Sequence, residues 1–279
     1  MLKTRVGFAG QRVHESRWAP RRANSSLEPS ARRFGRLVCT SWERAEAAQL
    51  NTLAARGTET LMHSFRPAGY GDSCALFYDQ LYPNVPAGLV RALVALANGR
   101  PALELGLATG RVALPLSAAG VTVSGIEASV LMLSQFMRRP NASTVRVVGG
   151  DFSSLPFRGP FGLVFCLVGT LGLLPSRQLQ TRCLREVSRV LEPGGAFLCE
   201  AFNDADARDP ITHNHPILTP SGVQSYSVTF LPTPPHSLDA LASAAGLTLA
   251  ARWGDWSQMP YAHGRPHHIS VYRKSTGAA

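Results

Sequence analysis

Charge is scarce in this sequence. Asp, Glu, Lys and Arg make up 16% of its 279 residues against 45% hydrophobic. That balance excludes a disordered polyelectrolyte and leaves a globular chain able to bury a large core. Long apolar runs are missing as well: none approaches the ~20 residues that a membrane helix needs, so no membrane partner is expected. The amino terminus MLKTRVGFAG has no long apolar stretch behind its first charges, which argues against a secretory signal. Cysteine is sparse and unpatterned. Cys39, Cys74, Cys166, Cys183 and Cys199 form no CxxC pair and no metal-ligand spacing. A disulfide framework and a bound metal are therefore not expected, and a reducing, cytoplasmic setting fits. Cys166 and Cys199 fall within apolar runs, where cysteine serves as a small buried hydrophobe.

The charge that is present is uneven. Of the net +10, residues 1–61 hold +6, with 11 Lys/Arg and five Glu, and the rest of the chain holds +4. A basic tail of this kind is either a solvated, poorly ordered extension or a nucleic-acid contact. Within it, SWERAEAAQLNTLAARG (41–57) reads as a helix with Ser41 as N-cap and Gly57 at its end. Met62 stands where ordered-looking sequence begins and is an alternative start. The expected division is thus a basic extension over 1–61 and one domain over 62–279.

From residue 87 strand and helix patterns alternate, which predicts a mostly parallel sheet with helices on both faces. Helices are expected over 87–99, 111–120, from Ser129 through Arg139, over 177–192 and over 236–246. Strands are expected over 101–107, 121–127, 143–151, 161–169 and 196–202, with a turn at Pro193-Gly194-Gly195 and a closing pair over 247–256 and 267–274. Pro115 falls early in its helix, where a missing N–H costs least. The nearly continuous apolar run FGLVFCLVG predicts a buried central strand. Residues 203–235 break the pattern. Rich in Asp, Pro, His and Thr, with one expected strand at 223–231, they read as a substrate loop or lid.

The turn after the first strand decides the ligand. A dinucleotide fingerprint needs G-x-G-x-x-G, but from Gly106 this chain offers Gly106, Ala108 and Arg111. A P-loop needs G-x-x-x-x-G-K-[ST], and Arg111-Val112-Ala113 stand where G-K-[ST] would fall. Two phosphate cradles are thereby excluded. What is present instead is acid: Glu104, Glu127 and Asp151, separated by 23 and 24 residues, each at or near the carboxyl end of an expected strand. In a doubly wound sheet those ends share one rim. Three carboxylates there repel phosphate and suit a cationic ligand bearing a ribose diol.

LELGLATGR, GIEAS, GDFSSLPF and LEPGGAFLCEAF, in that order and at these separations, resemble the successive motifs of class I S-adenosylmethionine-dependent methyltransferases. The small-molecule branch is the more similar, and the resemblance spans about residues 70–274. It implies a Rossmann-like, doubly wound, mostly parallel seven-stranded sheet with an antiparallel last strand. It also implies S-adenosyl-L-methionine as cofactor and S-adenosyl-L-homocysteine as product. Carried over by position, Gly106, Ala108 and Gly110 shape the loop under the methionine portion and Glu104 orders it. Glu127 holds the ribose, with Ala128 and Met132 flanking the adenosine. Asp151 and Phe152 contact adenine, and Leu167 faces the sulfonium. Tyr78, in FYDQLYP, either closes over the cofactor or is an aromatic staple. Ala108 replaces a commoner glycine, Gly162 stands where an acid often precedes the fourth strand, and Gly169-Thr170 stands where relatives often carry Asn-Thr.

Methyl transfer from a sulfonium is an in-line displacement that depends mainly on alignment in a dry pocket. Where the acceptor must lose a proton, His213, His215 and His263 are candidate bases, expected in loops over the rim. The region after the fourth strand, Leu167-Val168-Gly169-Thr170, lacks the Asp/Asn-Pro-Pro-aromatic run of base amino methyltransferases and the paired glutamates of protein-arginine enzymes. Neither Cys166 nor Cys199 follows proline, as a cytosine C5 nucleophile would. A small-molecule acceptor remains, with Phe202, Tyr226, Phe230, Trp256 and Tyr261 as pocket candidates. Two other readings stay open: a nucleic-acid methyltransferase guided by the basic tail, and a non-catalytic regulator that binds the cofactor.

Overall fold

The computed structural model of the chain describes residues 65–204, 209–219 and 222–276, all within the compact unit Gly57–Ala279. The basic segment, its expected helix over 41–57, Cys39 and Met62 lie outside the described residues.

Seven strands form the central sheet: β1 (Ala102–Leu105), β2 (Val123–Glu127), β3 (Arg146–Gly149), β4 (Phe161–Cys166), β5 (Leu191–Phe202), β8 (Leu247–Trp253) and β9 (His267–Lys274). A separate hairpin of β6 (Ile211–Thr219) and β7 (Gly222–Phe230) stands between β5 and β8 in the chain. The sheet runs β3-β2-β1-β4-β5-β9-β8. Its first five strands pair in parallel, and β9 is antiparallel to both β5 and β8. This is the doubly wound order. The order in which strands are added reverses between β1 and β4, so a crevice opens at the carboxyl ends of the central strands.

Seven helices accompany the strands in the described residues: α1 (Gly69–Cys74), α2 (Tyr78–Leu81), α3 (Leu89–Ala97), α4 (Ala113–Ala118), α5 (Val130–Met137), α6 (Arg177–Val190) and α7 (Pro235–Ala244). Their ends follow local chemistry. Ser129 and Ser176 cap α5 and α6 by accepting from the N–H groups of Met132 and Leu179 at 3.1 and 3.2 Å. Asn98 and Gly99 close α3 in the left-handed region. On α6 the spacing of Gln180, Cys183, Leu184, Val187 and Val190 makes one buried stripe. That stripe and α7 pack on one sheet face with Leu103, Leu105, Phe197 and Tyr272. On the opposite face α3, α4 and Phe136 of α5 cover Ala102, Leu163, Phe165 and Leu198. Strands β1, β2 and β4 are buried throughout, as their apolar runs predict. Among the described residues no helix is long and apolar enough to cross a membrane.

Two expectations need correction. Strand β5 begins at Leu191, so the residues expected as a Pro193-Gly194-Gly195 turn lie within it; the ladder to β4 slips between Phe161 and Leu163 and absorbs the irregularity. Residues 203–235 hold two strands rather than one. ITHNHPILT reads as loop because it is polar and contains proline. However, Ile211, His213, His215 and Ile217 alternate onto one side and pair with Phe230, Val228, Tyr226 and Gln224. A two-stranded ribbon has only edge strands, and there Pro216 is tolerated.

A buried polar chain ties the carboxyl-terminal half together. The Arg252 Nε–H donates to Ser270 Oγ (2.8 Å), and Arg252 Nη2 and the Tyr272 hydroxyl both donate to Asp239 of α7. His268, fully buried, contacts Ser270 Oγ through Nδ1 (2.8 Å) and the Thr233 carbonyl through Nε2 (3.0 Å). A carbonyl only accepts, so Nε2 carries the proton and Nδ1 accepts from Ser270. The imidazole is therefore held neutral: burial lowers its pKa from 6.5 to about 4, and nearby Arg252 acts in the same direction. A depressed histidine pKa contributes stability that is complete above pH 6.5 and is lost as pH falls toward 4. Urea denaturation of wild type and His268→Gln is thus expected to show wild type losing stability relative to the variant across that window. A difference that stays constant with pH would refute the neutral, buried assignment.

Candidate functional site

The site is built on the turn that follows β1. Gly106, Ala108 and Gly110 all hold positive φ, at 70°, 52° and 76°. At Gly110 no side chain fits, because a Cβ would lie 2.6 Å from the Phe136 ring. Ala108 is not a glycine, and a left-handed alanine costs on the order of 1 kcal/mol. A specific bond holds it there: its N–H donates to Glu127 Oε2 at 2.8 Å. The other oxygen, Oε1, accepts from the Ser129 N–H at 2.8 Å. Glu127, at the end of β2, therefore clamps the first loop to the start of α5. Burial raises its pKa, and these backbone N–H groups oppose the rise.

Glu104 lies one strand away, 5% exposed, on the same side of the sheet as Glu127, since its neighbours Leu103 and Leu105 point into the opposite core, as does Ile126 beside Glu127. Its Oε2 is buried without a hydrogen-bond partner. Desolvation pushes its pKa up to about 8; Arg111 pulls the other way, and the charge of Glu127 adds to the rise. Arg111 is anchored from above, with Nη1 donating to the Asn84 carbonyl at 2.9 Å and the guanidinium 5.6 Å over the Tyr82 ring. Its Nε is likewise buried and unpaired. A buried acceptor and a buried donor left open in one place are unusual in a folded protein, and they mark a position where a polar ligand completes the bonding.

The segment carrying α1 and α2 covers this loop. Tyr78 is buried, stacked near Tyr82 (centroids 4.9 Å apart), and packs with Cys74, Phe77, Ala108 and Met132. The cover is also fastened by polar bonds: Ser129 Oγ to Asp72 (2.7 Å), Thr109 Oγ1 to Asp79 (2.7 Å) and Arg139 to Asp79 (3.0 Å). Ala128 is half-buried beside the clamp.

The other expected cofactor residues are arranged differently. Asp151 turns onto its own loop, accepting from Ser153 N–H (2.8 Å) and Ser153 Oγ (2.7 Å). The structure thus brings Glu104 and Glu127 together on one face and leaves Asp151 at the rim beside them, engaged locally. The Phe152 side chain belongs to the core under α6. Leu167, buried at the end of β4, uses its carbonyl to accept from Thr170 Oγ1 at 2.7 Å. At Gly169 (φ 71°) the Phe202 ring fills the space a side chain would take, 2.5 Å from a Cβ. This accounts for glycine where relatives carry asparagine.

The three histidines are not alike. His213 and His215 lie on β6, not in a loop, and stack with each other at 5.8 Å. His213 also stacks on Phe230 and His215 on Tyr226, while Phe230 meets Phe202 and Tyr226 meets Phe77, with centroids 5.1–5.8 Å apart. A continuous aromatic row therefore runs from the end of β5 to the α1–α2 cover. His263 is exposed in the β8–β9 connection. Trp256 belongs to the core with α3, and Tyr261 accepts from Asn203 Nδ2 at 2.8 Å, so neither joins the row. Sequence reasoning passed over Arg111, Tyr82 and Tyr70; the aromatic triplet in GYGDSCALFYDQLY, spaced to recur on one side of two short helices, was the available signal.

A sheet of this order, with acids at the ends of β1 and β2 and a glycine turn between them, defines the adenosyl-binding methyltransferase class. The methyltransferase domain family matches residues 102–195. The CcbJ methyltransferase from Streptomyces caelestis is 30% identical, aligns over 76% of this chain and all of its own, and superposes with a TM-score of 0.68. The cypemycin N-terminal methyltransferase of a Streptomyces species is 31% identical over 109 residues, which are 39% of this chain and 44% of that protein, so the match spans less than half of that relative. A TehB-like S-adenosylmethionine-dependent methyltransferase from Corynebacterium glutamicum shares the fold at 20% identity, over 75% of this chain and all of its own, with a TM-score of 0.56. The chain belongs to the class I S-adenosylmethionine-dependent methyltransferase family.

The Glu127 clamp makes a prediction without ligand. Replacing Glu127 with Ala strips two buried N–H groups of their acceptor and is expected to cost roughly 1–3 kcal/mol of stability. Urea denaturation of the cofactor-free protein measures it. An unchanged midpoint would show that the carboxylate does not hold the loop.

Proposed function

We propose that the chain transfers the methyl group of S-adenosylmethionine to a small-molecule acceptor by in-line displacement, using a methyltransferase domain over 62–279 with 203–235 as its acceptor cover. One observation carries this reading: Glu104 Oε2, buried and unpaired beside a positive-φ glycine turn. A carboxylate so placed lacks a donor, and the ammonium of a methionine moiety is one. The residues present fit the group. Gly106, Ala108 and Gly110 leave backbone exposed to the methionine portion, and Glu104 binds its ammonium. Glu127 keeps lone pairs beyond its two backbone bonds and can accept from the ribose hydroxyls, with Ala128 and Met132 beside the adenosine. Asp151 retains similar capacity for the adenine amine, next to Phe152. Tyr78 closes the cover, and Leu167 offers an apolar wall where the sulfonium would lie.

Bound cofactor supplies an electrophilic methyl group and leaves as the neutral thioether. The protein's own task is to align and to exclude water. Tyr78, Phe77 and Met132 remove solvent on the cofactor side. The row Phe202–Phe230–His213–His215–Tyr226 supplies a flat, largely apolar wall for the acceptor, with His213 and His215 available to receive a proton; exposed His263 stands further out. We place the chain in a reducing, cytoplasmic setting on the unpatterned spacing of its cysteines.

The raised pKa of Glu104 provides the test. Near neutral pH a carboxyl with a pKa near 8 is largely protonated and cannot neutralise an ammonium. Titration calorimetry with S-adenosylhomocysteine is expected to show affinity rising from pH 6.5 to 8.5 as Glu104 ionises, with Glu104→Gln flattening that rise and weakening binding at pH 8.5. Binding independent of pH and unaffected by the substitution would remove Glu104 from the site.

A further inference from the structure

Glu200, near the end of β5, is an acid that the cofactor reading leaves unused. Along β5, Ala196 and Leu198 pack into the core under α3, whereas Phe197, Cys199 and Ala201 pack into the opposite core. The two-residue period therefore turns Glu200 to the face that bears Glu104 and Glu127. Sheet order then sets the sequence along the rim: β2, β1, β4 and β5 carry Glu127, Glu104, Leu167 and Glu200. Glu104 is level with Phe165 and Leu198; with strands ~4.8 Å apart and ~3.3 Å per residue, Glu200 sits one strand beyond Leu167 and about 12 Å from Glu104. With ribose at Glu127 and ammonium at Glu104, the transferable methyl lies before β4. The space before β5 is where an acceptor must stand.

The backbone holds Glu200 in that position. Its Oε2 accepts from the Val168 N–H at 2.9 Å, and its main-chain carbonyl accepts from the Gly169 N–H at 3.0 Å. Val168 and Gly169 both have positive φ, so the turn after Leu167 bends around this carboxylate. Among the described residues only one of its two oxygens is engaged. Its charge also reaches Tyr82, whose hydroxyl meets that of Tyr70 at 3.3 Å, so the acid lies beneath the same cover as Glu104 and Arg111.

We propose that Glu200 is the acceptor-side catalytic carboxylate, binding a basic amine acceptor in its protonated form and receiving its proton. This rests on the cofactor reading above. The ammonium gives H⁺ to the carboxylate and regains a nitrogen lone pair. That pair forms the N–C bond while the C–S bond breaks, with its electrons passing to sulfur, so the sulfonium becomes a neutral thioether and the product carries the positive charge. The carboxylate then releases its proton to solvent.

Sinefungin tests this without the natural acceptor, because it carries an ammonium where the cofactor carries its sulfonium methyl, and S-adenosylhomocysteine carries neither. Both are titrated calorimetrically into the full chain, as wild type and as Glu200→Gln, whose amide oxygen still accepts from the Val168 N–H. The expected result is that sinefungin affinity falls about tenfold or more in Glu200→Gln while S-adenosylhomocysteine affinity holds. An unchanged ratio of the two affinities overturns the proposal. So does a parallel loss of both, which marks Glu200 as support for the turn alone. Failure of wild type to bind either ligand overturns the cofactor reading itself, and this proposal with it.

Discussion

The Glu127 carboxylate is the constraint on which the site depends. It accepts one backbone N–H from the loop after β1 and another from the start of α5, 2.8 Å each. The first bond holds Ala108 in a conformation that alanine disfavours; the second fixes the residue that caps α5. Without such a carboxylate the loop would have two buried donors and no acceptor, and the turn would relax toward ordinary backbone geometry. The parallel sheet brings these groups within reach, since β1 and β2 are hydrogen-bonded neighbours and their ends fall side by side. A core packing decision thereby becomes a binding geometry.

The two buried acids on that face are treated differently by their surroundings. Glu127 accepts two backbone amides, one on each oxygen, which oppose the cost of burying its charge. Glu104 has an open oxygen, feels Glu127 as a like charge, and has Arg111 as its counter-charge. Burying an ion without a full complement of partners costs several kcal/mol, and a protein spends that stability where a ligand restores it. The asymmetry gives the site direction. The partnered acid shapes the loop, and the other keeps one buried oxygen open.

Much of the fold was legible because it rests on periodicity and punctuation. The apolar runs of β1, β2 and β4, the helical spacing of α3 and the closing strand pair all act locally, and each appears in the structure within a few residues of its expected place. The acid spacing of 23 and 24 residues was readable for the same reason, since each βα unit has a fixed length. What could not be read were features decided by partners distant in sequence. ITHNHPILT becomes a strand only because residues 222–230 pair with it, with the rings of Phe230 and Tyr226 stacking on its histidines. Asp151, at the rim, is also engaged by Ser153 only two residues away, a side-chain bond that strand and helix periodicity does not register. Arg111 looked like a departure from two phosphate motifs, yet its importance comes from Tyr82 and Asn84, contributed by a segment some 27 residues upstream.

The two covers of the site are not independent. The α1–α2 segment lies over the loop that follows β1, and the β6–β7 hairpin carries the aromatic row. They meet at Tyr226, which contacts Phe77 and Tyr70 from one side and His215 from the other, and at Ser73 Oγ, which donates to the Ser227 carbonyl at 3.4 Å. The first cover is fastened to the domain by polar pairs, individually worth about 1 kcal/mol or less near solvent, and by the buried packing of Phe77 and Tyr78 with Ala108 and Met132. The ring contacts at Tyr226 are apolar and add to one another through a shared residue. One residue thereby ties the segment over the β1 loop to the hairpin, so a change at Tyr226 acts on both.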